Sequence, residues 1–160
     1  LGIDPGSSRT GFGVLSAEDD GRGPPRLVAA GVISVGRGAA AVRLARVLAG
    51  LERVLGEHRP DEVALEKVFH ALNAKSALVL GQARGVALAA AGRAGLEVHE
   101  YAPSRIKLTV TGHGGAGKAQ VRRVLELVLG EVPESLDASD AVAIALCHLR
   151  WRGPGRRASA

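Results

Sequence analysis

The chain has 160 residues and a mass of 16.4 kDa, enough for one domain and too few for two independent cores. Hydrophobic residues at 46% and charged residues at 23% exclude a disordered chain, and the single cysteine, Cys147, excludes a disulfide framework or a Cys-based zinc site. No apolar run approaches the roughly 20 residues of a membrane span and no secretory signal opens the chain, so a cytoplasmic protein without membrane contact is expected, trimmed at its natural N-terminus ahead of Leu1. The net charge of +5 points to a polyanionic partner.

In chain order, Leu1 to Gly6 reads as the end of a buried strand closed by a Pro-Gly turn. Residues 11–17 and 26–35 read as two further strands, joined by a polar Asp-, Gly- and Pro-rich turn. Residues 39–57 carry Val42, Leu44, Ala45, Leu48, Leu51, Val54 and Leu55 at helical spacing, and Arg59-Pro60 stops that helix. A short strand over 61–66, a long Ala- and Leu-rich helix over 73–93 and an alternating strand over 96–101 follow. Ala102-Pro103-Ser104 is a helix start. A glycine loop at 113–117 leads into helices over 117–130 and 136–151, and the last residues, 153–160, read as a frayed tail beyond a domain of 1–152. This order implies an α/β fold: a five-stranded mixed sheet, three strands antiparallel and then parallel ones, covered by helices.

The positive charge is concentrated. Between Lys67 and Leu125 there are nine basic residues, among them Lys75, Arg84, Lys107 and Lys118, against two acids. A nucleic acid is the first candidate partner, with a basic solvated surface as the bland alternative.

Four acids have unusual settings. Asp4 and Glu66 each end an apolar strand, and Asp137 and Asp140 share one face at the start of the last helix. Taken singly, each has an ordinary role as a cap, a turn former or half of an ion pair. If the last helix crosses the ends of the two strands, the four converge. Their repulsion would then call for a hard divalent cation with oxygen ligands, such as Mg²⁺. Gly112 to Ala119 nearly matches a nucleotide-binding phosphate loop, but Ala119 stands where the Mg²⁺-binding hydroxyl belongs and a helix, not a strand, precedes it. The five histidines lack metal-ligand spacing with one another. His148 reads as surface or core filling, and Tyr101 and Trp151 as packing residues. Phe69, in the connection after Glu66, suits either a buried anchor or a base-stacking wedge.

The stretches GIDPGSSRTGFGV (2–14), ALEKVF (64–69), NAKSALVLGQARGVAL (73–88), YAPSRIKLTVTGHGGAGKAQV (101–121) and DASDAVAIALCH (137–148) together resemble the RuvC family of Holliday junction resolvases, over nearly the whole chain and in the right order. The resemblance implies a ribonuclease H-like fold and a homodimer that nicks two strands of like polarity in four-way junction DNA, leaving 5′-phosphate and 3′-hydroxyl ends. It implies two Mg²⁺ ions per site, replaceable by Mn²⁺, held by Asp4, Glu66, Asp137 and Asp140 as the catalytic acids. It further implies an aromatic at the junction centre in Phe69, DNA-handling lysines in Lys107 and Lys118, with Lys75 and Arg84 as further expected DNA contacts, and a partnership with the RuvA–RuvB branch-migration motor. A ribonuclease H-like nuclease for another branched or RNA-containing substrate, and a catalytically silent junction binder, are the alternatives.

Overall fold

The computed structural model describes residues 1–17, 23–67 and 74–152. Strands β1 (Gly2–Pro5), β2 (Arg9–Ser16) and β3 (Arg26–Ser34) come first, then helix α1 (Ala40–His58), strand β4 (Glu62–Glu66), helix α2 (Ala74–Arg93), strand β5 (Glu97–Tyr101) and helices α3 (Pro103–Thr111), α4 (Lys118–Leu129) and α5 (Leu136–Arg152). The strands form one sheet in the order β3-β2-β1-β4-β5. β1–β2 and β2–β3 are antiparallel, and β1–β4 and β4–β5 are parallel. The mixed sheet expected from the sequence is therefore present. Phe69 and the tail from 153 lie outside the described residues, as does part of the polar turn between β2 and β3.

Local chemistry sets the helix ends. Arg59 takes the left-handed conformation after α1 and returns its N–H to Leu55 O at 2.9 Å, with Pro60 preventing continuation. Pro103 occupies the first turn of α3, and Gly112 and Gly130 close α3 and α4 at φ 78°, a region glycine enters without steric cost. The Gly112–Lys118 loop thus joins two helices, a setting different from the strand-to-helix turn of a phosphate loop.

The sheet separates two cores. On one face, Ile3, Val63 and Leu65 pack with Val47, Leu51 and Val54 of α1 and Ala87, Ala90 and Ala91 of α2. On the other, Ala64 and Tyr101 pack with Ile106, Val121 and Leu125 and with Val142, Ile144 and Leu146 of α5. α5 is enclosed nearly all round: every residue from Ala141 to His148 is buried.

Glycines and alanines let α5 lie directly on the sheet. A Cβ on Gly2 would stand 2.6 Å from the Ala145 nitrogen, and one on Gly13 would stand 2.8 Å from Val142 Cα. A Cβ on Gly11 would collide with the carbonyl oxygen of Asp137. Backbone atoms cannot step aside as a flexible side chain can. Gly11→Ala is therefore expected to cost about 1–3 kcal/mol of stability, measured by urea denaturation, and to displace the start of α5.

Candidate active site

Residues alternate between the two faces of each strand. Gly2 faces α5, and so does Asp4, two positions on. On β4, Ala64 faces the α5 core and Glu66 follows on the same side. Gly2 and Ile3 pair in register with Ala64 and Leu65, so Asp4 and Glu66 leave adjacent parallel strands at the same end. Asp4 also pairs with Gly11, the residue over which the Asp137 backbone lies. Asp140 is one helical turn further along α5. Two strands and one helix thus deliver four carboxylates to one edge of the sheet.

Their electrostatics record the convergence. Burial, followed by the charges of Asp140 and Glu66, raises the Asp4 carboxyl from 3.8 to about 7, with Asp137 adding to the shift and Lys118 opposing it. Burial and Asp140 also raise Glu66, while Lys118 and Lys107 draw it down. The Lys118 ammonium donates to Asp140 Oδ2 at 2.5 Å, a bond that holds Lys118 above its ordinary value. Among the described residues, no three of the four carboxylates bring ligand oxygens within 4.8 Å of one another. Like charges in a partly desolvated edge keep apart until a cation compensates them. A set of carboxylate oxygens only, one of them already favouring its proton, fits a hard divalent ion.

Of the basic residues expected at DNA, Lys107 and Lys118 lie close enough to act on the acids. Lys75 and Arg84 are on α2, across the sheet. Lys75 is exposed in the first turn, and the Arg84 guanidinium pairs with Glu100. Arg9 escaped the sequence reading, yet its guanidinium lies 3.8 Å from Asp137 Oδ2 and is well exposed. Its only signal was its place in the stretch after Asp4. Two other readings are corrected. Trp151 is exposed rather than packed and carries the Arg105 guanidinium 4.4 Å from its ring centroid. The histidines do form a cluster, because β5 and α5 bring His99 and His148 into a stack with centroids 4.5 Å apart. Tyr101 is buried as expected.

The chain matches the family described as crossover junction endodeoxyribonuclease RuvC over residues 1–148. It belongs to the RuvC family. A RuvC from Anaeromyxobacter sp. (strain K) is 51% identical over 95% of this chain and 80% of its own length. One from Methylococcus capsulatus is 50% identical over 95% and 90%. The Thermus thermophilus RuvC bound to a Holliday junction substrate superposes with a TM-score of 0.86 at 35% identity, covering 94% of this chain and 92% of that one. RuvC structures have the ribonuclease H-like fold, and the sheet order and helices described above reproduce it. The RuvC family is a family of nucleases acting on phosphodiester bonds, and membership implies divalent-metal use. Among the described residues, no helix is long and apolar enough to cross a membrane.

The raised Asp4 carboxyl gives a signed prediction. The folded state holds this proton more tightly than the unfolded chain does. The stabilisation is complete below about pH 4 and is lost as pH rises through about 7. Asn at this position removes the charge. Asp4→Asn is therefore expected to stabilise the metal-free protein by about 2–4 kcal/mol near pH 8, with the gain shrinking toward pH 4. Denaturant melts across that range check it, and a destabilised variant near pH 8 would contradict it.

Proposed function

We propose that this chain is a Holliday junction resolvase. It would act as a homodimeric endonuclease that nicks two strands of like polarity in four-way DNA and leaves ligatable ends. The observation carrying this reading is the gathering of Asp4, Glu66, Asp137 and Asp140 around one sheet edge, flanked by Lys107, Lys118 and Arg9, in a chain of the RuvC family. Residues 1–152 form the nuclease unit in this reading, and the cytoplasm, which holds the bacterial chromosome, is its compartment.

The four carboxylates hold Mg²⁺, with Mn²⁺ as a substitute, and two ions per site match the number of acids. The bound cations supply stabilisation of charge on the phosphate oxygens and activation of the attacking water. Asp4 gives up its proton to bind, so affinity for the cation rises with pH through about 7. Lys118 offsets the acids through Asp140, and once the acids are compensated its flexible side chain is free to meet a DNA phosphate. Lys107, beside Glu66, meets the same backbone. Arg9 extends the basic rim outward from Asp137. Phe69, in the connection leaving Glu66, wedges the opened centre of the junction. Lys75 serves the DNA arms, and Arg84 holds Glu100 while it lines the same approach.

The outer face of α2 supports pairing of two copies. Ala74, Leu78, Gly81, Gly85, Ala89 and Gly92 are exposed at three- and four-residue steps along one side. Small residues there let a second helix come close. Two copies place two sites on one junction, which suits paired nicks. The RuvA–RuvB motor is the proposed partner in the cell.

A cleavage panel decides between substrates: immobile and mobile four-way junctions, forks, plain duplex and RNA–DNA hybrid, each with Mg²⁺ and with Mn²⁺. Paired symmetric nicks confined to four-way junctions are expected. Equal cutting of duplex would overturn the resolvase reading, and junction binding without nicking at any metal concentration would make the chain a silent binder. Within the same assay, Lys118→Ala is expected to lower turnover by about 10²-fold or more while junction affinity changes less than about threefold. An equal loss in both would reduce Lys118 to a plain phosphate contact.

A further inference from the structure

The α5-facing side of the sheet carries a second cluster of ligating side chains, at the opposite end of β4 from the acids. Glu62 and Glu66 are the two ends of β4, so about 13 Å separates them at roughly 3.3 Å per residue. Around Glu62, His148 Nε2 lies 2.8 Å from Oε2 and His99 Nε2 lies 3.8 Å from Oε1. Ligand atoms of all three residues fall within 4.8 Å of one another. Glu97 Oε1 lies 3.5 Å from the same His99 nitrogen at the solvent rim.

Two features set this cluster apart from an ordinary buried hydrogen-bond network. His99 Nε2 is buried with no hydrogen-bond partner, whereas both ring nitrogens of His148 are engaged. Buried polar atoms seldom remain unsatisfied. His148 is also held at its far side: Nδ1 lies 2.7 Å from the Tyr101 hydroxyl. In the metal-free neutral ring the Tyr101 hydroxyl donates to Nδ1 and Nε2–H donates to Glu62 Oε2; on binding a metal through Nε2 the ring would carry its proton on Nδ1 instead and donate it to Tyr101 Oη. That is how metal-ligating histidines are commonly supported.

We infer that Glu62, His99 and His148 form a second metal site, selective for Zn²⁺ or a similar borderline transition ion and distinct from the hard-cation site of the four acids. Two imidazoles and a carboxylate are a zinc donor set, whereas Mg²⁺ prefers oxygen ligands. At bond lengths of about 2.0–2.2 Å, tetrahedral donors stand roughly 3.3 Å apart; His148 lies 2.8 Å from one Glu62 oxygen and His99 3.8 Å from the other, so small side-chain shifts would bring the three ligands to that spacing. Glu62 and Glu97 supply two negative charges toward a divalent ion. Bound there, the ion ties α5 to β4 and β5, a structural clamp rather than a participant in chemistry.

The test is zinc titration of the full metal-free chain by calorimetry, with excess Mg²⁺ present to fill the acid site. One Zn²⁺ per chain is expected, with a dissociation constant of about 1 μM or tighter, and thermal unfolding should move up by several degrees. Binding should persist in the Asp4→Asn, Asp140→Asn double variant and weaken at least about 30-fold in His99→Ala, a partly exposed position chosen because His148 is too buried to replace safely. Co²⁺ in the unmodified protein should give the intense visible bands of tetrahedral coordination. No saturable zinc binding, zinc retained in His99→Ala, or zinc lost with the acids would each overturn the site. None of these readouts depends on the nuclease reading.

Discussion

The contact between α5 and the strands β1 and β2 is the constraint from which the active edge follows. Gly2, Gly11 and Gly13 have no side chain on the face that α5 covers, and α5 answers with Ala141, Ala145 and Val142. The helix backbone therefore sits nearly on the sheet backbone. Asp137, at the start of that helix, is carried directly over Gly11, the register partner of Asp4. With larger residues on either side, the helix would stand off at the usual side-chain distance, and its first turn would carry Asp137 and Asp140 away from Asp4 and Glu66. The same closeness explains why α5 is buried almost all round over Ala141–His148.

The arrangement opposes local stability. Four carboxylates share an edge where burial and mutual repulsion already raise Asp4 to about 7. Lys118 is the internal cation that makes the edge tolerable, at 2.5 Å from Asp140. An ammonium on a flexible stem is suited to that role because it can leave without disturbing the backbone. It comes from the start of α4, after a loop rich in glycine. In the proposed reading, function rests on this edge being only partly neutralised by Lys118 and therefore able to accept divalent charge.

Much of this was legible in the residues. Strand ends at Asp4 and Glu66, the Asp137/Asp140 spacing and the element order all rest on local pattern, and the structure places them as that pattern implies. What local pattern does not carry is contact between distant segments. His99 and His148 have no spacing relationship, because they are brought together only by the packing of α5 across β5. Arg9 lay between the strands expected from the sequence, and only the fold places it beside Asp137. Trp151 was expected to pack because large aromatics usually do, but it ends α5 where that helix has run past the sheet, and Arg105 covers only one side of its ring. Lys75 and Arg84 belonged to a basic stretch in sequence, yet an intervening helix and strand sort that stretch onto both faces of the sheet. Linear charge density does not specify a surface.

One face of one sheet thus separates two kinds of chemistry. Alternation puts Asp4, Glu62, Glu66, His99 and Tyr101 all toward α5, where a thin helix leaves room for polar groups that the Leu- and Val-filled opposite core would exclude. At the strand ends near Lys118 of α4, the groups are oxygens and their charge is only partly compensated. At the other end, Glu62 is met by two imidazoles, and His148 is buried. Burial disfavours the charged imidazole and lowers His148 below its ordinary value, against the opposing pull of Glu62, so a neutral imidazole is favoured beside the carboxylate. Donor type follows from position along β4: the edge left open to solvent keeps its carboxylates ionisable and exchangeable, and the closed edge favours neutral, directional ligands. A fold that seats one helix this closely on a sheet has two corners for polar side chains, and the donor sets at the two corners differ.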